Sequence, residues 1–542
     1  MVSYAYLFEA KSIQQYILGS GRLRHIVGAS ELIDSLTRDL LDDTLKELGL
    51  QVGVDVHLSR RAGGAVYLFS TSASARDGFR ELWSLLVRQY APNLEFIVAC
   101  GQGETDYSAY LAATQNLQAA RNRQSAWLPA GNPVTAFTPR TGNPAVESHQ
   151  KLGLQDAATA RFGADRFWRR GKLTDKFTDV ISADDWPRDL EHKAGDEETS
   201  FPFLEDNRYL AIVHADGNGL GQVLRQLSEQ TQPKPGQFVA LFRDFSQAVA
   251  AATEGAAKQA TEAVLLPLRA RNNARMPARP IVLGGDDLTI LLRADLALPF
   301  TRVFLLAFEE HSRTALRALG RDYPDITDMP AALTAGAGIA FVKSSHPFHL
   351  AHRLAESLAK HAKQTAKNHL GIDRRIPPTL AWHRVTTASQ GEYRDILDQE
   401  MTFGVSAPRV RTTLEVYGID ETPIPGLPPF GELEKLLDLF GAEQMARGPA
   451  RQILTLLGQD IDNAQRRYER WREVMVDRHS HELHAIDTAL KALLPGGIAE
   501  DLRLPVSASG DLRSSPFGDI ATLLAVTRGA THQVPVHEED NA

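Results

Sequence analysis

A single cysteine, Cys100, stands in 542 residues, which excludes a disulfide framework and any zinc site built on several thiolates. No apolar run reaches membrane-spanning length, and the opening segment MVSYAYLFEAKSIQQYI carries charges too early for a secretory signal. Positive charge is not in excess either. The 59 lysines and arginines face 67 aspartates and glutamates, a formal net charge of −8, which argues against a nonspecific nucleic-acid coat while leaving room for a local basic groove. These absences predict a cytoplasmic protein with no membrane association and no disulfide partner. What is present is ordinary globular composition, 43% hydrophobic and 23% charged, at a length that suggests about three or four domains.

Periodicity orders the chain into two similar halves. Tyr4–Glu9 reads as a strand, followed by helices over Ser12–Leu18 and Gly28–Leu50. Val52–Leu58 and Gly64–Phe69 read as strands, Arg76–Tyr90 as a helix and Glu95–Cys100 as a strand. The order returns later: strand Tyr209–Ala215, a long helix Phe238–Leu266 with a break near Gly255, and a hairpin Pro280–Leu292. Helix Pro299–Leu319, strand Leu333–Phe341, helix Pro347–Asn368 and strand Thr379–His383 follow. A split βαβ unit occurring twice predicts an α+β fold of two ferredoxin-like palm domains, spanning 1–140 and 206–422. The polar stretch 141–205 between them is expected to be a mostly helical insertion. After the stiff PIPGLPPFG linker, 423–542 is expected to be a C-terminal helical domain with a frayed acidic tail. Within it, RRYERWRE reads as a solvated or packing face ahead of a nucleic-acid contact.

The chemistry concentrates at two places. YLAIVHADGNGLG, Tyr209–Gly221, is an apolar run ending in Asp216, and IVLGGDDLTILL, Ile281–Leu292, sets Gly284, Gly285, Asp286 and Asp287 between two apolar runs. Each alone is a good turn, with glycine and aspartate there for conformational reasons. Together, in palm order, they place three carboxylates at neighbouring strand ends, which is what a two-metal nucleotidyl-transfer site requires. Asp216, Asp286 and Asp287 are therefore the candidate catalytic and metal-binding acids, with the Gly217 carbonyl as a further ligand to Mg²⁺ or Mn²⁺. Gly217, Asn218, Gly284 and Gly285 form the candidate nucleotide-binding turns, since glycine lets phosphate approach the backbone. Lys363, ahead of Lys360 and Lys367 on the same helix, is the candidate contact to triphosphate oxygens. Ser344, Ser345, His346 and His349 are read as caps of that helix or pocket lining, and His214 as a satisfied core histidine. The first half keeps the turn Ala62-Gly63-Gly64-Ala65 without aspartates, so it is expected to support the second half rather than to react.

These segments resemble the large, polymerase-like subunit of type III CRISPR–Cas effector complexes, which carries two palm domains and a GGDD motif. Leu7–Asp34 is similar to that family's opening segment, VHADGNGLGQVL to the start of its second palm, LGGDDLTILL to its catalytic hairpin, and SSHPFHLAHRLAESLAKHAK to the helix beyond. The resemblance runs to about residue 400. It implies an enzyme that joins ATP into cyclic oligoadenylates for antiviral defence, with guide and target RNA, other effector subunits or self-association as partners. Asp216, Asp286 and Asp287 match the family's metal-binding acids and Gly284 and Gly285 its hairpin glycines. Asn218 departs from it, because a second aspartate often stands there, and no HD nuclease segment or zinc-module cysteines are present in the sequence. A catalytically silent scaffold for guide RNA–target complexes is one alternative. A diguanylate or diadenylate cyclase-like enzyme, related through the GGDEF-type palm, is another.

Overall fold

The computed structural model describes residues 2–122, 132, 134–150, 153–163, 171–190, 201–203, 208–231, 234–272, 275–370, 375–387, 391–404, 409–420, 424–441, 448–494, 503–509 and 511–527. The first palm contains four strands: β1 (Ser3–Ala10), β2 (His57–Ala62), β3 (Ala65–Ser70) and β4 (Phe96–Gly103). They form one antiparallel sheet in the order β2-β3-β1-β4, the ferredoxin-like arrangement. Alternation explains the unbroken apolar run of β1. Tyr6 and Phe8 enter one core with Phe79 and Trp83 of the Ala73–Tyr90 helix, whereas Ala5 and Leu7 enter the other with Ala109, Ala113 and Leu117. A strand covered on both faces needs side chains of one kind on both.

The second palm repeats the plan with β7 (Tyr209–Gly217), β8 (Ala278–Gly284), β9 (Asp287–Arg293) and β10 (Ala335–Lys343). Its sheet runs β10-β7-β9-β8 and is extended beyond β10 by β11 (Thr379–Arg384), which pairs in parallel, and by β14 (Tyr417–Gly418). Leu210 and Ile212 face the Phe348–Leu370 helix side, and Ala211, Val213 and Ala215 face the side of the Phe238–Ala260 and Ala297–Asp322 helices. Glycine sets the spacing: a Cβ at Gly338 would lie 2.1 Å from the Ala355 carbonyl oxygen, so β10 and its helix pack backbone to backbone.

Several elements differ from the sequence reading. The helix expected from Gly28 starts at Leu23 and passes through a π turn, Leu36–Leu40, before ending at Glu47. The second strand begins at His57, because Gln51 to Val56 close a tight turn around the Asp55 carboxylate. The long helix runs unbroken past Gly255; its irregularity is the π turn Thr261–Leu265. A helix not anticipated, Asp106–Arg121, follows β4 behind a Thr105–Ser108 capping box. The insertion is not simply helical. Its described residues contain a hairpin, β5 (Ala145–His149) with β6 (Gly153–Asp156), beside short helices at Ala157–Gly163 and Lys172–Asp175.

The C-terminal helices Phe430–Gly441, Gly448–Leu457, Ile461–Arg478 and Ser480–Leu493 are as the period suggests. The chain then returns to the palm side, where β15 (Ser507–Ser509) and β16 (Leu512–Ser514) join β12 (Thr402–Phe403) and β13 (Arg409–Arg411) in one sheet. A largely buried helix, Phe517–Val526, follows, and the acidic tail expected to fray lies outside the described residues. In the arginine-rich helix, Arg472 pairs with Asp487, Arg467 bonds Gln452 and Arg470 pairs with Glu473, while Tyr468 and Trp471 are buried. Its buried side packs through Tyr468 and Trp471, and Arg466, Arg470 and Glu473 face solvent. Among the described residues no helix is long and apolar enough to cross a membrane.

Candidate active site

The ladder brings the two acidic segments together. β7 pairs with β9 so that Ala215 faces Leu288, and the hairpin closes with Gly284 opposite Asp287. Asp216 therefore sits one step beyond the last pair, beside Asp287, and Asp286 occupies the turn. Carboxylate oxygens of Asp216, Asp286 and Asp287 all lie within 4.8 Å of one another. The turn needs its glycines. Gly285 has a φ of +63°, left-handed backbone that suits glycine, and a Cβ at Gly217 would lie 2.5 Å from Asp286 Oδ2.

Neighbouring elements hold the hairpin still. Thr253 Oγ1 donates to the Gly285 carbonyl at 2.6 Å. The Lys176 ammonium, from the insertion, donates to the Leu283 carbonyl at 3.1 Å and pairs with Asp34 at 2.7 Å. From the first palm, Ser30 Oγ donates to the Ile281 carbonyl. Both palms and the insertion thus grip one hairpin.

Burial and mutual repulsion push the Asp287 carboxyl well above the usual range, with Asp286 and Asp216 as the neighbouring charges. Asp286 is raised too, first by burial and then by Asp216. Three close acids cannot all ionise without added positive charge. Part of it comes from Lys363, whose ammonium pairs with Asp216 and donates to the Gly217 carbonyl at 2.7 Å. Lys363 therefore belongs to the acid cluster, whereas Lys360 is exposed. Gly336 makes room for it, since a Cβ there would lie 2.4 Å from Lys363 Cγ.

The other expected residues divide. Gly284 and Asp287 line a cleft of about 930 Å³ between the palms, together with His349, Arg353 and the first palm's Gly63 and Gly64. The two glycine turns face each other: a Cβ at Gly284 would be 3.9 Å from the Gly63 Cα. Asn218 is not aimed at the acids; its amide nitrogen donates to Thr334 Oγ1 at 2.9 Å and to the Pro377 carbonyl at 3.4 Å. His214 is a core residue as expected, with Nδ1 3.1 Å from Thr289 Oγ1 and burial lowering its pKa to about 4.

Sequence reasoning missed two features. His352, Arg353 and Glu356 line the cleft on one helix face with His349, the residue read as a cap or pocket lining, and their spacing of three and four residues signals that face. Glu9 is the second. In the first palm Glu9 faces Ala65, the residue that closes the hairpin with Ala62, so it holds the ladder position of Asp216. Arg121 pairs with Glu9 at 3.0 Å as Lys363 does with Asp216. The first palm retains the strand-end acid and its cation but not the hairpin pair.

Residues 209–371 match the family model for the second palm domain of Cas10/Cmr2. No curated protein sequence matches the chain. Among solved structures, Csm1 from T. onnurineus is similar at 13% identity, covering 97% of this chain and 69% of that one, with a TM-score of 0.45. A Csm1–Csm4 cassette in complex with one ATP gives 12% identity, 97% and 70% coverage and a TM-score of 0.44. A Csm1–Csm4 cassette in complex with cA4 gives 12%, 69% of this chain, 54% of that one and 0.37. This chain thus spans 54–57% of the length of several chains it is similar to.

Proposed function

We propose that this chain, which carries a Cas10/Cmr2-type second palm, is a metal-dependent nucleotidyltransferase. It joins ATP into cyclic oligoadenylate, or a cyclic dinucleotide, as a second messenger of type III CRISPR-like antiviral defence. The observation that carries this reading is the convergence of Asp216, Asp286 and Asp287 within 4.8 Å, with Asp287 lining a cleft that both palms border. Adenine as the base, and effector subunits or RNA as partners, rest on resemblance. The division into two palms, an insertion and a C-terminal helical domain is part of the same proposal.

The residues fit a hard divalent cation. The donor set is all oxygen, burial and crowding raise the Asp286 and Asp287 carboxyls, and Gly217 leaves space where any side chain would strike Asp286. Asp216, Asp286 and Asp287 would hold Mg²⁺ or Mn²⁺, with the Gly217 carbonyl beside them. When bound, such ions lower the pKa of an attacking 3′-hydroxyl and neutralise charge on the α-phosphate. The chain's own part is positional. Gly284 and Gly285 would let phosphate lie against the turn, Lys363 supplies a positive charge at Asp216, and the cleft between the palms gives substrate a way to Asp287.

The test is incubation of the full chain with ATP or GTP and Mn²⁺ or Mg²⁺, with and without RNA, followed by mass spectrometry. Cyclic or linear 3′–5′ oligoadenylate is expected, and none from an Asp286→Ala, Asp287→Ala double variant. No product from any nucleotide under any of these conditions contradicts the reading and favours the silent scaffold.

A further inference from the structure

A second, smaller cavity of about 390 Å³ lies between the start of the Leu23–Ser35 helix and the insertion, lined by Arg22, His25, Thr138, Arg140 and Thr141. None of the three aspartates borders it. His25 is 1% exposed, yet neither ring nitrogen has a hydrogen-bond partner. Two unpaired nitrogens on a buried imidazole that borders a cavity are costly unless a ligand meets them. The helix begins there too: Arg22 is its N-cap, in extended backbone with no side-chain cap bond, preceded by Gly21 at φ +67°. The first-turn amides and the positive end of the helix dipole are set for an anion.

The surrounding charge agrees. Burial first, then Arg22, Arg140 and Arg24, lower the His25 pKa to about 4, with Asp156 opposing them. That carboxylate is already engaged, accepting from the Ala158 and Thr159 amides at 2.9 Å and from Thr141 Oγ1. The cavity is therefore basic and bordered by an imidazole with no other partner, while its hydroxyls are engaged with Asp156 and the Asn143 carbonyl, and it is larger than a single phosphate requires.

We infer that this cavity is a phosphate-binding site separate from the aspartate cluster, holding the phosphates of a small nucleotide or inorganic pyrophosphate through Arg22, His25 and Arg140. Arg140, Thr141 and Thr159 border both this cavity and the large cleft, so a ligand in one is a neighbour of the other. The inference stands on its own residues, and its test excludes the metal on which the proposed activity depends.

The experiment is isothermal titration of the full chain with pyrophosphate and with ATP in excess EDTA. Wild type and Asp286→Asn should bind alike. Arg22→Glu and, separately, His25→Gln should weaken binding at least tenfold while circular dichroism remains that of the wild type. Binding of both ligands identifies the phosphates as sufficient; binding of ATP alone, with the same two losses, identifies an intact nucleotide. Should His25→Gln fold poorly, Arg22→Glu decides. Absence of binding by either ligand at millimolar concentration, or binding indifferent to Arg22→Glu, overturns the inference.

Discussion

Asn218 directs its amide at Thr334 Oγ1 and the Pro377 carbonyl, and Thr334 Oγ1 itself donates to the Ile376 carbonyl at 2.5 Å. Both partners therefore require a donor at position 218. An aspartate, the residue common at this point in the resembling family, would bring a carboxylate to two acceptors. Asn218→Asp is expected to lower unfolding free energy by about 1–3 kcal/mol, the cost of leaving such groups unpaired. Thermal unfolding checks it, and an unchanged or higher Tm would contradict the role. What sequence showed as a departure near the acids is, in the structure, the fastening of β7's turn to the segment before β11. Side-chain direction, which separates those two roles, is not encoded in spacing.

Between elements, two glycines two residues apart on β10 make a controlled comparison. Gly338 faces backbone, the Ala355 carbonyl and the Ala359 amide, whereas Gly336 faces the flexible stem of Lys363. Gly338→Ala should cost about 1–3 kcal/mol of stability, because the helix cannot yield. Gly336→Ala should leave Tm within a few degrees while displacing Lys363 from Asp216, lowering kcat for nucleotide condensation by about tenfold or more. Equal Tm losses in the two variants would refute the distinction. The alternation of β7, β9 and β10 and the GGDD turn were legible because strand period and turn chemistry are local. The β5–β6 hairpin was not legible, since its strands are short and mostly exposed and show no apolar alternation. The Glu9–Arg121 pair was hidden for a different reason. Its partners lie 112 positions apart, and only the ladder register reveals Glu9 as the counterpart of Asp216.

Across the whole molecule, burial holds histidines neutral in both palms: His25, His214 and His383 at about 4 and His352 at about 3. The unfolded chain takes up these protons near pH 6.5, so each contribution is complete above that value and is lost as pH falls toward the folded pKa. Asp519, buried beneath Tyr417 and raised to about 6, acts with the opposite sign as pH rises through its own value. A single replacement isolates one group. His352→Gln should flatten the dependence of unfolding free energy on pH between about 6 and 4, by up to about 1.4 kcal/mol per pH unit. Denaturant unfolding at several pH values measures it; an unaltered slope would show that His352 titrates normally.

The same scale holds the central claim, that one hairpin gripped by two palms and an insertion assembles a divalent-cation site. Burial and crowding raise the Asp286 and Asp287 carboxyls, so protons compete with the cation there and affinity should fall as pH is lowered. The direct measurement is electron paramagnetic resonance of Mn²⁺ titrated into the full chain with ATP at pH 8, compared with Asp287→Asn. Saturable Mn²⁺ binding that weakens at least tenfold in the variant, and weakens in the wild type at pH 6, is the predicted result. Mn²⁺ binding indifferent to Asp287→Asn would contradict the account.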